Sequence, residues 1–329
     1  MKLTESQKQV LHAVLLSAEK STTEVARTLH MTSHTVRRTI SMFLDKGIFI
    51  RRCVFVDPHS LGMTVYLAQL SLPSATLAER ESFRKLLCES EQSGAVVELG
   101  GGGEFEVRIF ARGPAHLTHF FESLATQSYK PFFIRSCLLI LESEYFGRVE
   151  GLPPSSSDRA LSFHSREQAR TTYDLDEKDH VVLSALSNYH YLNLQEVSRA
   201  LGMPYSSLQY RVEKLEASGI IQGHFYIMDP KIFGDLPFAL KVVSRALTSR
   251  EREKVTSFCK RHPLISWITF FVGEQTVEIY TLVRSFDGAQ SVLSDLSAAF
   301  GDMFDSVQVR PQLSFHKISN YPFKKFLKA

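Results

Sequence analysis

The chain has 329 residues, of which 44% are hydrophobic and 22% charged, with a net charge of +3 and a pI of about 8.6. Those proportions are those of a soluble globular protein of two or more domains, and no apolar run approaches the roughly 20 residues of a membrane span. Four separated cysteines (Cys53, Cys88, Cys137, Cys259) form no CxxC pair, which excludes a zinc ribbon or a disulfide scaffold and reads as reduced thiols. The opening Met1-Lys2-Leu3-Thr4-Glu5 carries no apolar leader. The expectation is a cytoplasmic protein with no metal and no cofactor. A mildly basic balance permits a nucleic-acid partner without demanding one, so the placement of the charge decides.

Val10, Leu11, Val14 and Leu15 stand at helical spacing within residues 5–18. Ser21-Thr22-Thr23-Glu24 offers a hydroxyl cap and an acid for a second helix over 22–29. After the turn at Met31-Thr32, a third helix over 34–45 is capped by Ser33 and ended by Gly47. Ile48 to Val56 alternates as a short strand pair, a wing. This is a winged helix-turn-helix pattern. Next come a strand at 63–72, a helix at 77–90, strands at 95–99 and 105–111, a helix at 114–126 and a strand at 132–142. That order, βαββαβ, is ferredoxin-like. Gly100-Gly101-Gly102-Gly103 is read as a hairpin turn rather than a phosphate loop, because a strand and not a helix follows it.

Gly151-Leu152-Pro153-Pro154 and the serines after it open a linker, expected to be mobile or partly helical, that runs to about Tyr173. Beyond it the chain repeats. An offset of 172 residues carries Leu3 onto Leu175, Glu24-Val25 onto Glu196-Val197, Gly47-Ile48 onto Gly219-Ile220, Asp57-Pro58 onto Asp229-Pro230 and Glu106 onto Glu278. The fold class expected is therefore α+β, a tandem repeat of a winged helix-turn-helix and a ferredoxin-like βαββαβ domain. The domains run 1–61, 62–147, linker 148–173, 174–233, 234–320 and a basic tail 321–329.

In this motif the N-terminal part of the third helix enters the major groove. Ser33, His34, Thr35, Arg37 and Arg38 in the first copy, with Arg51 and Arg52 on the wing, are the candidate DNA contacts. In the second copy they are Ser206, Ser207, Gln209, Tyr210 and Arg211, preceded by Tyr205. Residues 3–62 hold eight Lys or Arg against five acids, and 175–234 hold five against seven. Phosphate neutralisation supplies much of DNA affinity, so the first module is expected to be the stronger binder. His116 and His119 lie three apart on a helix without a third metal ligand and are read as structural or exposed.

The order of winged module, Asp57-Pro58-His59-Ser60-Leu61-Gly62 connector and βαββαβ unit resembles the Lrp/AsnC (feast/famine) regulators. Val212-Glu213-Lys214-Leu215-Glu216-Ala217-Ser218-Gly219-Ile220-Ile221 is similar to the family's recognition-helix ending. The resemblance covers nearly the whole chain, twice. It implies binding to double-stranded DNA, homo-oligomers built through the ferredoxin-like sheets, and a small effector such as an amino acid near a Gly-x-x-Asp turn. Here that turn reads Gly101-Gly102-Gly103-Glu104 and Gly273-Glu274-Gln275-Thr276. Gly101, Gly102, Gly103, Glu104, Gly273, Glu274 and Thr276 are then the candidate effector contacts, although both copies lack the Asp. Siroheme decarboxylases also resemble this family, but their His-Asn-Tyr and Tyr-Asn-x-Trp-Phe pattern is absent: Val96-Val97-Glu98-Leu99 and Ile265-Ser266-Trp267-Ile268-Thr269-Phe270 stand in its place. A regulator, not an enzyme, is the reading chosen. A tetrapyrrole decarboxylase and a protein-interaction module without DNA binding are the alternatives.

Overall fold

The two copies meet along three strand pairings, and these organise everything else. The computed structural model describes residues 3–100, 104–148, 160–164, 174–188, 191, 193–273, 277–319 and 321. In the first copy α1 (Glu5–Leu15), α2 (Thr22–Leu29) and α3 (Ser33–Asp45) form the helical trio. Each helix starts where a hydroxyl can cap it. Thr4 with Gln7 and Ser21 with Glu24 make reciprocal capping boxes, while the Thr32 hydroxyl accepts the Thr35 amide. Val10, Leu11, Val14, Val25, Val36 and Phe43 are buried against one another. The second copy repeats the trio as α6 (Glu177–Asn188), α7 (Leu194–Leu201) and α8 (Tyr205–Ala217).

The wings depart from expectation. Ile48–Val56 is not a strand pair of its own. It supplies one strand, β1 (Phe49–Val56), which pairs antiparallel with its counterpart in the other copy, β7 (Ile221–Met228). Phe49 faces Met228 and Val56 faces Ile221, so the ribbon is symmetric about its centre. Phe49 stacks on Tyr226 with ring centroids 4.1 Å apart. Apolar residues of both copies share this core, which gives each strand a partner that a lone wing would lack.

The βαββαβ order appears twice. The first unit is β2 (Thr64–Ser71), α4 (Leu77–Glu89), β3 (Ser93–Leu99), β4 (Glu104–Ala111), α5 (Pro114–Gln127) and β5 (Phe133–Tyr145). A four-residue strand, β6 (Leu161–His164), lies inside the segment expected to be a mobile or helical linker and instead pairs with the end of β5. The second unit is β8 (Leu236–Ser244), α9 (Ser249–Arg261), β9 (Ile265–Val272), β10 (Val277–Val283), α10 (Phe286–Phe300) and β11 (Phe304–Ile318). Strand order is β5-β2-β4-β3 in one copy and β11-β8-β10-β9 in the other, and β3 pairs with β11 while β5 pairs with β9. Two sheets joined along both edges close an eight-stranded barrel. Strands β5 and β11 run to 13 and 15 residues because each serves its own sheet with one half and the partner sheet with the other. The sheet association expected between subunits is thus made within one chain.

Alternation along the strands sorts the barrel's two faces. On β4, Phe105, Val107 and Ile109 pack against α4 and α5, while Glu106 and Arg108 point the other way, toward the barrel interior. The interior carries a buried polar knot. Lys241 Nζ lies 2.8 Å from Glu106 Oε2 and 3.3 Å from Glu278 Oε1. The Tyr280 hydroxyl lies 3.2 Å from Glu106 and 2.5 Å from Glu278. One lysine faces two carboxylates, and one phenolic proton cannot serve both. Burial and the neighbouring Glu106 charge push the Glu278 carboxyl up to about 7, against the pull of Lys241.

A carboxyl whose pKa is raised on folding contributes stability that is full below its unfolded value and lost as pH rises through the folded value. Thermal unfolding of the full chain is therefore expected at a lower temperature at pH 8 than at pH 5.5. Glu278→Gln should flatten that dependence and raise the pH 8 midpoint. A wild-type midpoint that does not fall across this window would show that Glu278 does not titrate there.

Candidate nucleic-acid interface

The exposed face of α3 is set by what its buried face does. Val36, Thr39 and Phe43 turn inward, so His34, Thr35, Arg37 and Arg38 are left on the outside, with Ser33 half-buried at the helix start. Arg37 and Arg38 make no hydrogen bond or ion pair among the described residues. Two guanidiniums one residue apart, beside a hydroxyl and an imidazole on the first two turns of a helix, are a chemistry suited to phosphate and guanine edges.

The matching face of α8 differs in kind. Arg211 is half-buried, with Nη1 2.7 Å from Asp176 and 2.5 Å from Asp179, whose side chain is only 1% exposed. It is a strut between α8 and the start of α6, not a free cation. In the first copy the three corresponding positions are Thr4, Gln7 and Thr39, all neutral, so no such strut exists there. Lys214 sits over the Tyr210 ring at 4.8 Å, and Gln209 donates to Glu213 at 2.8 Å. Ser206 is exposed and Ser207 half-buried, while Tyr205 and Tyr210 are open to solvent. Of the second copy's expected contacts, Arg211 is thus committed elsewhere and the rest are uncharged.

Arg51 and Arg52 need correcting as DNA contacts. Both are half-buried on β1, at the junction of the copies. The Arg51 guanidinium donates to the carbonyls of Ser187 and Ile318. That of Arg52 lies over the Tyr191 ring at 5.5 Å and 3.4 Å from His224 Nδ1. They hold the ribbon to α6 and to the end of β11, and their charge is spent inside the molecule.

The effector turns are only partly described. Gly101, Gly102, Gly103, Glu274 and Thr276 lie outside the described residues. Glu104 opens β4, which follows the glycines directly as a strand. Its carboxylate accepts from Gln69 at 3.1 Å and faces Arg310 at 3.5 Å. Gly273 has φ +137°, a backbone conformation that favours glycine, and a Cβ there would make the end of the Leu138 side chain turn aside. His116 accepts the Arg112 amide at 3.2 Å, which gives it a structural task at the entry to α5. Sequence reasoning missed the interior set Arg108, Lys241, Trp267 and Tyr280. The available signal was a charge at every second position of a strand whose other face is apolar.

No helix among the described residues is long and apolar enough to cross a membrane. The fold and the exposed α3 face define a tandem helix-turn-helix protein. Known proteins agree: a family described as "Winged helix-turn-helix DNA-binding" matches residues 175–222, and one described as "Homeodomain-like domain" matches 4–48. An uncharacterised HTH-type transcriptional regulator of Pyrococcus abyssi is 28% identical over 129 residues, covering 38% of this chain and 82% of that protein. The HTH-type transcriptional regulator FL11 of Pyrococcus horikoshii is 25% identical over 133 residues, 40% of this chain and 80% of its own. Among solved structures, the siroheme decarboxylase NirDL has a TM-score of 0.58 at 11% identity, over 98% of this chain and 95% of that one, and so shares the fold across both copies. The chain is thus similar to HTH-type transcriptional regulators over about two fifths of its length, and its doubled order of winged module, connector and βαββαβ unit is the one that the resemblance to Lrp/AsnC regulators implies.

The two arginine sets should separate by stability. Arg211→Ala takes the cation away from the buried Asp179 carboxylate and is expected to cost about 3 kcal/mol in urea unfolding. Arg37→Ala with Arg38→Ala should change stability by less than about 0.5 kcal/mol. Equal costs for the two would contradict the division of roles.

Proposed function

We propose that the chain is a sequence-specific regulator that binds double-stranded DNA chiefly through α3. The observation that carries this is the exposed Arg37–Arg38 pair, without a hydrogen bond or ion pair among the described residues, on the helix that the motif presents to the major groove. The regulator relatives support it. Ser33, His34 and Thr35 would position the helix on phosphates and base edges, while α8, with Ser206, Ser207, Gln209 and Tyr210, would bind weakly or serve as a second, nearly uncharged contact. Arg51, Arg52 and Arg211 would act by fixing the geometry of the two winged modules. One chain carries two such modules about a pseudo-twofold axis, so a single molecule could span a two-part site. Further homo-oligomers would have to use the outer surface, because the barrel seams are taken. In a DNA-bound role the protein would work in the cytoplasm, and a small effector near Glu104 and Gly273 remains part of the proposal.

A second reading rests on the whole-chain fold likeness to NirDL, which has also been solved in co-complex with an iron-uroporphyrin III analogue. On that reading the barrel would hold a tetrapyrrole and act on it. The regulator reading is preferred because an exposed basic face on α3 has no task in such an enzyme.

The deciding experiment is binding of the full chain to its own upstream DNA across a salt series, beside the Arg37→Ala/Arg38→Ala double variant. Each lost phosphate contact lowers the slope of log K against log salt by about 0.9, so the variant should bind at least tenfold more weakly with a slope smaller by about 2. Wild type and variant binding alike at every salt would remove α3 as the reader. Turnover of siroheme by the purified chain would instead support the enzyme.

A further inference from the structure

Between the β1–β7 ribbon and the open end of the barrel lies a cavity of about 430 Å³, lined by residues from both copies. The size is that of pockets for small organic molecules. Most of its surface is apolar, with Leu67 and Val97 on the barrel side and Phe225 and Ile227 on the ribbon. Its polar groups converge on one place. The Arg108 guanidinium lies 4.9 Å from the centroid of the Trp267 ring, whose indole N–H donates to Ser143 and is thereby fixed. Arg108 makes no hydrogen bond or ion pair among the described residues, and its Nε is buried without a partner. Gln312, 3% exposed and also lining the cavity, has a buried side-chain nitrogen without a partner. Unmet donors in a buried apolar chamber are costly unless something accepts from them.

We propose that this cavity binds a small organic carboxylate with an apolar body. Its carboxylate sits on Arg108 and Gln312, and its body lies between Trp267 and the ribbon residues Phe225 and Ile227. A stacked guanidinium with free forked donors matches a planar carboxylate, and the apolar walls match a hydrocarbon or aromatic body. The chemistry disfavours an α-amino acid here. The barrel carboxylate beside Arg108 is Glu106, which already holds the Lys241 ammonium at 2.8 Å. The other lining carboxylate, Asp229, accepts the Lys231 amide in the connector turn. An ammonium at this place would have to share Glu106 with Lys241. The site is distinct from the glycine turns at the barrel seams. A ligand here touches the winged ribbon and the barrel at once, so its binding would bias how the DNA-reading modules are held. That last clause rests on the regulator reading; the binding site does not.

Trp267 is the only tryptophan in the chain, so its fluorescence reports this cavity alone. The full chain is titrated with 4-phenylbutyrate, with 4-phenylbutanol, which lacks the charge, and with 2-amino-4-phenylbutyrate, which adds an ammonium. The acid should change the emission saturably, and the other two should bind at least tenfold more weakly. Arg108→Gln should erase the advantage of the acid over the alcohol, and Arg108→Lys should retain part of it, with unfolding midpoints showing both variants folded. Trp267→Phe should lose the signal while calorimetry still detects the acid. The proposal is overturned if the acid does not bind, if alcohol and acid bind equally, if the amino acid binds more tightly, or if Arg108→Gln leaves the acid's affinity unchanged in a folded protein. If 4-phenylbutyrate binds but leaves the affinity for upstream DNA unchanged, the site stands and its coupling to DNA fails. Loss of all DNA binding by wild type would count against the regulator reading alone.

Discussion

A four-stranded sheet of the ferredoxin-like order has two open edges, and the rest of this molecule depends on how they are paired. Backbone N–H and C=O groups along an open edge must find partners, and an isolated sheet offers them to any passing strand. Here β3 meets β11 and β5 meets β9, so each copy closes the other. Because both copies lie in one chain, closure is intramolecular and independent of concentration. The same logic applies above the barrel, where β1 and β7 each lack a hairpin partner and find one in each other. The position of each winged module is therefore set by the opposite copy as much as by its own.

A duplicated chain can let its halves diverge where symmetry once forced them to match. Glu106 and Glu278 are the same residue in both halves, but Gln69 has Lys241 as its counterpart, and Arg108 has Tyr280. With Gln in both copies, two buried carboxylates would face each other with no cation between them. With Lys in both, a second cation would need a partner. One of each gives a knot in which a single ammonium bridges both acids. The winged modules diverge in the same way. Arg211 is balanced by Asp176 and Asp179, whereas the first copy spends no charge on that joint and keeps its arginines on the outside of α3.

What could be read from the sequence follows from the range of the interactions. Helix starts at Thr22 and Ser33, the βαββαβ order and the duplication are local or periodic signals, and they lie where expected to within a residue or two. Pairing between copies leaves no local trace. A strand such as Ile48–Val56 alternates in the same way whether its partner is four residues away or 172, so it read as a hairpin. Arg51 and Arg52 failed for a related reason. A cation on a strand looks alike in sequence whether it faces a phosphate or, as Arg51 does, two carbonyls of distant segments. Arg37 and Arg38 could be assigned to an outer face because helical periodicity fixes which side is buried. The interior cluster needed the barrel to be closed before Lys241 and Glu106, 135 residues apart, could be seen to touch.

The ribbon and the barrel knot share a boundary, and that boundary is where the molecule can respond. Phe225 and Ile227 face the cavity from β7, while their strand holds Arg52 through His224 and carries the second winged module. Glu106, Arg108 and Tyr280 face it from below, on strands held between two neighbours of their own sheets. Every strand in the lower wall has two strand neighbours, whereas the upper wall is a two-stranded ribbon. A ligand in the cavity would then touch the ribbon on one side and the barrel on the other. A shift of the ribbon moves α3 and α8 together, because both helices lead into its strands. On a duplex, where two helices must enter successive grooves at a fixed spacing, a joint displacement of small size is enough to alter affinity.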